Sequence, residues 1–263
     1  GIKEIKLKDK ATSFNSLLLP TSEAKIMEEE ANTPDSLDTG FLIKNEKLLL
    51  PGGALFVYAA PTNHGKTVLL INTIIKVAEK YPNKKFIFFT YEEKANFILS
   101  YFLNTYIDTS LNNSEYSSSN KRVIKDYFKT GSTQYINSDI LPHFNQKKDE
   151  FFKKYIETGR ILVKYVDYNS DDLDLALRYI NQNDKSIGGI FIDYFQLLSK
   201  PNTKKARHEE LKDICQSLKN TANDTGLPIV LAAQFNREVK NLQSLHPTSI
   251  GEGGDIERIA HTL

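Results

Sequence analysis

Ala60-Pro-Thr-Asn-His-Gly-Lys-Thr67 stands directly between an apolar run, Ala54-Leu-Phe-Val-Tyr-Ala-Ala60, and a run with helical spacing that opens Val68-Leu-Leu-Ile71. The first run predicts a strand and the second a helix. The eight residues that join them match a phosphate-binding loop, with Ala60 at a position more often held by Gly. Backbone N–H groups at a helix start have no partner within the helix, and the helix dipole makes that end an anion site. Lys66 adds a mobile charge for the outer phosphates, and the Thr67 hydroxyl can hold a magnesium ion. Ala60, Pro61, Thr62, Asn63, His64, Gly65, Lys66 and Thr67 thus imply a nucleoside triphosphate bound with Mg2+. His64 occupies a variable position of the loop and reads as a spacer.

Working outward, apolar and aromatic-rich runs at 54–60, 86–91, 161–166, 189–194 and 228–233 predict strands, and the patterns at 68–81, 94–104, 171–182 and 208–224 predict helices. Strands this uniformly apolar, separated by helices, imply an α/β fold with a mostly parallel sheet covered on both faces. Residues 1–40 are polar and broken by Pro20, Pro34 and Gly40, with one helical stretch at 22–31 opening on a Ser cap, so they are expected to form an arm preceding a domain of residues 41–263. Between about 105 and 145 the composition turns polar, most of all in Asn112-Asn-Ser-Glu-Tyr-Ser-Ser-Ser-Asn120. A mobile surface excursion is expected there, flanked by short helices at 121–129 and 147–158.

Three further strand ends carry chemistry. Gly189-Ile-Phe-Ile-Asp193 is a buried-type strand ending in a carboxylate, and the carboxyl end of such a strand is where ligands sit in an open α/β sheet. Asp193 is therefore placed to order a magnesium shell together with Thr67. Phe86-Ile-Phe-Phe-Thr-Tyr-Glu92-Glu93 ends in acid as well, and a carboxylate beside a phosphate loop can orient or deprotonate an attacking water. Glu92 takes that role, whereas Glu93, next along the chain, is expected to point elsewhere as a solvated charge at a helix start. In Ile229-Val-Leu-Ala-Ala-Gln234, the terminal Gln234 can contact the γ-phosphate and report its loss.

Composition restricts the remaining classes. In 263 residues, 40% hydrophobic content suffices for a real core, and a formal net charge of +1 leaves any nucleic-acid contact to local basic segments. The single cysteine, Cys215, allows no internal disulfide and lies at helical spacing with Leu211, Ile214 and Leu218, which reads as a small buried hydrophobe. No stretch approaches the ~20 apolar residues of a membrane span, and the charged start Gly1-Ile-Lys-Glu-Ile-Lys-Leu-Lys8 has no signal-peptide core, so a cytoplasmic location without membrane contact is expected. Position 1 is Gly where an initiator Met would stand, which suggests processing or a fragment.

Taken together, these segments resemble the motor domain of the DnaB-type replicative helicases, a hexameric branch of the RecA-like ATPases. The likeness runs from Thr39-Gly-Phe41 through the 60–67 loop, Phe88-Phe-Thr-Tyr-Glu92, Ile192-Asp-Tyr-Phe-Gln-Leu-Leu198 and Gln234-Phe-Asn-Arg237 to Gly254-Asp-Ile-Glu-Arg-Ile-Ala260. That family has Ala at the first loop position, so Ala60 fits it. The resemblance implies a RecA-like P-loop fold and an ATP-hydrolysing ring, in which Lys66 binds the phosphates, Thr67 and Asp193 bind magnesium, Glu92 activates water and Gln234 couples hydrolysis to movement. It also implies single-stranded DNA threaded through the channel, gripped by loops matching Ser199-Lys-Pro-Asn-Thr-Lys-Lys-Ala-Arg207 and 238–254. In the first loop Lys200, Lys204, Lys205 and Arg207 suit phosphate contacts that position a strand without reading its sequence.

Three features depart from the pattern. Gly251 stands before Glu252 where the family usually has Arg, and residues 1–40 have no counterpart of the family's primase-binding domain, although they could supply the linker helix that docks on a neighbouring subunit. The family's arginine finger lies beyond the Gly-Asp-Ile-Glu segment, so the resemblance implies that it would follow Leu263. A primase or a loader is the further partner implied. A RecA-like recombination or repair ATPase, and a nucleotide-gated loader module with little turnover, are the competing readings.

Overall fold

The computed structural model describes residues 36–61, 64–110, 124, 126–134, 136, 138 and 141–234. All of these belong to one compact unit, Asp35–Leu263, separate from Gly1–Pro34. Its first elements are the strands β1 (Leu37–Ile43) and β2 (Glu46–Leu50), paired antiparallel. Between them Lys44 and Asn45 take φ of 51° and 70°, the two left-handed residues that a tight hairpin turn requires. Strand β1 continues through residue 40, where the arm was expected to end, with a register irregularity between Asp38 and Leu42 at which Gly40 takes φ of 72°. Asp38 ties this hairpin to the body: it accepts from the Lys80 ammonium at 2.5 Å, and that bond holds its carboxyl well below the usual carboxylate range.

The central elements then follow in chain order: β3 (Leu55–Ala60), α1 (Lys66–Lys80), β4 (Lys85–Thr90), α2 (Ala95–Ser110), α3 (Leu141–Phe151) with a π-helical turn (Phe152–Ile156), and β5 (Ile161–Tyr165). After these come α4 (Ser170–Asn183), β6 (Ile187–Asp193), a 3-10 turn (Phe195–Leu197), α5 (Arg207–Thr225) and β7 (Ile229–Gln234). Strands β3 to β7 make one parallel sheet in the order β3-β7-β6-β4-β5. The period of two decides which side chain meets which layer. Phe86, Phe88 and Phe191 point into a cluster with Leu70, Ile74 and Phe102 of α1 and α2. Ile87, Phe89, Ile190 and Ile192 point the other way, against Leu173 and Leu177 of α4 and Leu211, Ile214 and Cys215 of α5. Both faces of the sheet are covered, which explains strands without polar alternation.

Local signals account for several boundaries. Helix α4 starts where the Asn169 side chain accepts from the backbone N–H of Asp171 at 2.9 Å and of Asp172 at 3.0 Å, with both acids in the first turn. Cys215 is fully buried, and burial pushes its thiol up to about 12. Gly188 is the extra residue in β6 where the register with β4 shifts. A Cβ placed on it would lie 2.9 Å from Lys84 Cβ and 2.9 Å from Phe86 Cε1.

The expected surface excursion is in part core. Among the described residues Ile107, Ile124, Ile136 and Phe144 are all buried, and Tyr127 meets Phe144 edge-on with ring centroids 5.4 Å apart. Average polarity over the segment hid these scattered apolar positions. Helix α3 begins at Leu141, earlier than the expected 147, because Pro142 sits in the first turn, where a missing N–H costs nothing. Residues 112–120 lie outside the described residues.

Candidate nucleotide site

The parallel register lines up the carboxyl ends of four strands. Ala60 of β3 pairs with Gln234 of β7, β7 lies between β3 and β6, and Asp193 of β6 pairs with Thr90 of β4. Beyond this row opens a cavity of about 460 Å³ lined by Gly65, Lys66, Thr67, Glu92, Asp193 and Gln234, with Glu93, Tyr101 and Tyr194 also on its wall. Residues from four separate predicted strand ends thus face one space. Thr62 and Asn63 of the loop lie outside the described residues.

At the start of α1, Gly65 is the cap residue and takes φ of 81°, a left-handed conformation for which glycine has no steric cost. Helix α1 begins at Lys66, so the free N–H groups of its first turn face the cavity. No acidic side chain occupies that turn to compete for an anion. Lys66 Nζ donates to the carbonyls of Ala60 at 3.3 Å and Pro61 at 3.1 Å, curling over the loop. Burial lowers its pKa, with Asp193 and Glu92 acting against that shift. His64 is exposed.

Asp193 and Thr67 meet directly. The Thr67 hydroxyl donates to Asp193 Oδ2 at 2.6 Å, the length of a charge-assisted bond. Asp193 is only 4% exposed, and burial raises its pKa to about 6, helped by Glu92 and Glu93 and opposed by Thr67 and Lys66. A carboxylate kept in so costly a setting gains most when a cation joins it. A hydroxyl and one carboxylate fit Mg2+, which keeps waters and phosphate oxygens in its shell instead of filling it with protein ligands.

The bend after β4 is set by Thr90, whose hydroxyl donates to the Glu93 carbonyl at 2.8 Å and accepts the Glu93 N–H at 3.2 Å. The Tyr91 N–H donates to the Asp193 carbonyl at 2.9 Å. These bonds carry Glu92 over the cavity, but they also turn Glu93 onto its wall, contrary to the expectation that it points away. The difference arises because the chain bends here, so the alternation of an extended strand no longer applies.

The basic loop stands apart from the cavity. Its Arg207 is engaged internally: Nη1 donates to Glu210 Oε2 at 2.6 Å, and Nη2 donates to the carbonyls of Gln196 at 2.6 Å and Leu198 at 2.7 Å. Lys205 pairs with Asp213 at 2.5 Å, and Lys200 lies 3.9 Å from the same carboxylate. Lys204 is exposed with no ion pair among the described residues. The second expected loop, 238–254, falls outside those residues.

The family model for the DnaB-like helicase C terminal domain matches residues 38–263. The chain belongs to that family. The replicative DNA helicase DnaB of Helicobacter pylori strain J99 is 28% identical over 228 residues, 85% of this chain and 42% of the relative. The DnaB of Mycoplasma genitalium is 28% identical over 216 residues, covering 79% of this chain and 41% of the relative. A probable plasmid replicative DNA helicase of Chlamydia trachomatis is 24% identical over 249 residues, covering 91% and 49%. The chain therefore spans less than half the length of the curated relatives it matches. Among solved structures, the ATPase domain of G40P superposes with a TM-score of 0.63 at 15% identity, over 96% of this chain and 80% of that one. A DnaB-like replicative helicase studied with its interactions with primase gives 0.61 at 16%, over 79% and 45%. The fold of this DnaB-like domain is thus RecA-like, a parallel sheet flanked by helices.

Two features of the site escaped the sequence reading. Ile98 and Tyr101 on α2 line the cavity; their helical spacing was legible, but not which way that face looks. The other is a hydrogen bond from the side chain of Gln196 to the end of β7.

Proposed function

We propose that this DnaB-like domain is an ATP-driven motor that moves along single-stranded DNA as part of a ring, hexameric in the simplest case, and separates duplex ahead of it. The reading rests on one observation: Gly65, Lys66 and Thr67 of the loop, Glu92, Asp193 and Gln234, scattered over 170 positions of sequence, converge on a single cavity of about 460 Å³. In this reading the first turn of α1 and Lys66 bind the β- and γ-phosphates of ATP. Thr67 and Asp193 hold the magnesium ion, which supplies charge neutralisation on the phosphate oxygens. Glu92 orients the attacking water and takes its proton, and Gln234 senses the γ-phosphate.

The substrate and partners follow from the relatives. Proteins named replicative DNA helicase match most of this chain, and one solved neighbour is described with its primase, so DNA, further copies of the chain and a primase or loader are the proposed partners. The exposed Lys204 on loop 199–207 is the group best suited to a DNA phosphate; Lys200, Lys205 and Arg207 are already engaged with acids or carbonyls and would contribute through the loop's shape as much as through charge.

Single-stranded DNA is expected to stimulate ATP hydrolysis. Lys66→Ala should abolish turnover, and Glu92→Gln should abolish it while nucleotide binding survives. Absence of DNA stimulation in the full-length protein at low salt would refute the motor reading.

A further inference from the structure

We propose that Gln196 is a positioning residue that couples the basic loop 199–207 to Gln234, an inference that rests on the motor reading above. Gln196 lies on the 3-10 turn three residues beyond Asp193. Its Nε2 donates to the backbone carbonyl of Gln234, the last residue of β7, at 3.0 Å. Its Oε1 is buried with no hydrogen-bond partner among the described residues. The amide is thus held at one end by β7 and by nothing else there, so a shift of the β7 terminus reaches this side chain first.

The backbone of the same residue belongs to the loop's anchor. Arg207 donates to the carbonyls of Gln196 and Leu198, and also to Glu210. Glu210 Oε1 in turn accepts the backbone N–H of Lys200 at 2.6 Å. Both ends of the loop are bracketed in this way: Lys200 by Glu210, and Arg207 by the turn that carries Gln196. A continuous path of hydrogen bonds therefore runs from Lys200 through Glu210, Arg207 and Gln196 to Gln234. The turn itself is firm, because Phe195 and Leu198 are fully buried and the Leu198 N–H donates to the Phe195 carbonyl at 3.0 Å. A rigid turn with a polar link to β7 transmits displacement, whereas a loose one would absorb it.

A brace that only supported the fold would lower stability and leave communication between the sites intact. The test separates the two. Gln196→Met keeps the length and packing of the side chain and removes the donor. Two ratios are measured in the full-length protein: ATP turnover with and without single-stranded DNA, and DNA affinity with and without a non-hydrolysable ATP analogue. Each ratio is expected to fall about 5-fold or more toward unity, the lower end of typical coupling between two sites, with melting temperature and analogue affinity retained. Arg207→Lys, which keeps the charge but cannot span both carbonyls and Glu210 at once, should lower the same ratios and serves if Gln196→Met does not fold. Wild-type ratios in a folded Gln196→Met or Arg207→Lys protein would overturn the coupling while leaving the motor reading in place. A wild-type protein indifferent to DNA would instead overturn the motor reading, and the coupling with it.

Discussion

Replacing Asp193 by Asn should make the nucleotide-free protein more stable, and the gain should depend on pH in a defined direction. The carboxyl is 4% exposed, and its folded-state pKa of about 6 lies above the ordinary 3.8. A pKa raised in this way means that the folded state holds a proton which the unfolded chain has already released. Between 3.8 and about 6 the folded protein therefore binds more protons than the unfolded one, and stability falls as pH rises through that window. Above it the full cost is present, about 3 kcal/mol at 1.36 kcal/mol per pH unit. The Asn side chain mimics the protonated carboxyl and keeps an oxygen for the Thr67 hydroxyl, so it relieves that cost without leaving a cavity.

Urea or thermal unfolding in the absence of Mg2+ and nucleotide should show the Asp193→Asn protein ahead by about 3 kcal/mol near pH 8 and by about half of that near pH 5. For a domain of this size the former corresponds to a melting temperature roughly 6–12 °C higher. Adding Mg2+ and an ATP analogue should reverse the order, because ligand binding stabilises the wild type by RT ln(1 + [L]/Kd) and the variant lacks the proposed metal ligand. A variant that is less stable than wild type near pH 8, or whose advantage does not shrink on acidification, would refute the claim that Asp193 is an ionised group held at a cost for a cation.

Two further predictions concern the loop and the sheet. Lys204→Ala should weaken binding to single-stranded DNA and reduce the slope of log K against log salt by about 0.7, the value for one phosphate contact on a single strand, while Lys205→Ala should change it less because Asp213 already engages that ammonium at 2.5 Å; an unchanged slope for Lys204→Ala would return that lysine to the solvated surface. Gly188→Ala should cost about 1–3 kcal/mol, because its new methyl meets Lys84 and Phe86 at 2.9 Å in a packed interior, and an unaltered melting temperature would show that β6 can shift to make room.

What could be read from the chain alone was local chemistry. Strands β3, β4, β6 and β7 were legible because runs of four to seven apolar residues end abruptly in Pro, Thr, Asp or Gln, and a sheet buried on both faces demands such runs. The hairpin at 37–50 was not, since its turn is Lys44-Asn45, and nothing in a lysine announces a positive φ. Ile124 and Ile136 were hidden for another reason. Each has a single apolar or aromatic neighbour, Val123 and Tyr135, too short a run to mark a buried segment, yet both belong to the cluster that holds Phe102, Phe144 and Phe151 of α2 and α3.

The same division runs through the site. Glu92, Asp193 and Gln234 each follow or end a run whose apolar character makes a polar terminus conspicuous, Lys66 and Thr67 close the loop between two such runs, and all five line one cavity. Relations among them needed the strand order. Gln196 and Gln234 are separated by 38 positions, and their bond exists only because β7 inserts between β3 and β6, next to the strand from which the Gln196 turn departs. Had β7 added outside β3, the end of β7 would face the 60–67 loop but not the turn that anchors the basic loop. The topology therefore does more than present the candidate site residues. By placing the strand that ends in Gln234 between the strand leading into the 60–67 loop and the strand ending in Asp193, it puts one backbone carbonyl within reach of the turn beyond Asp193, and Gln196 is the side chain that uses it.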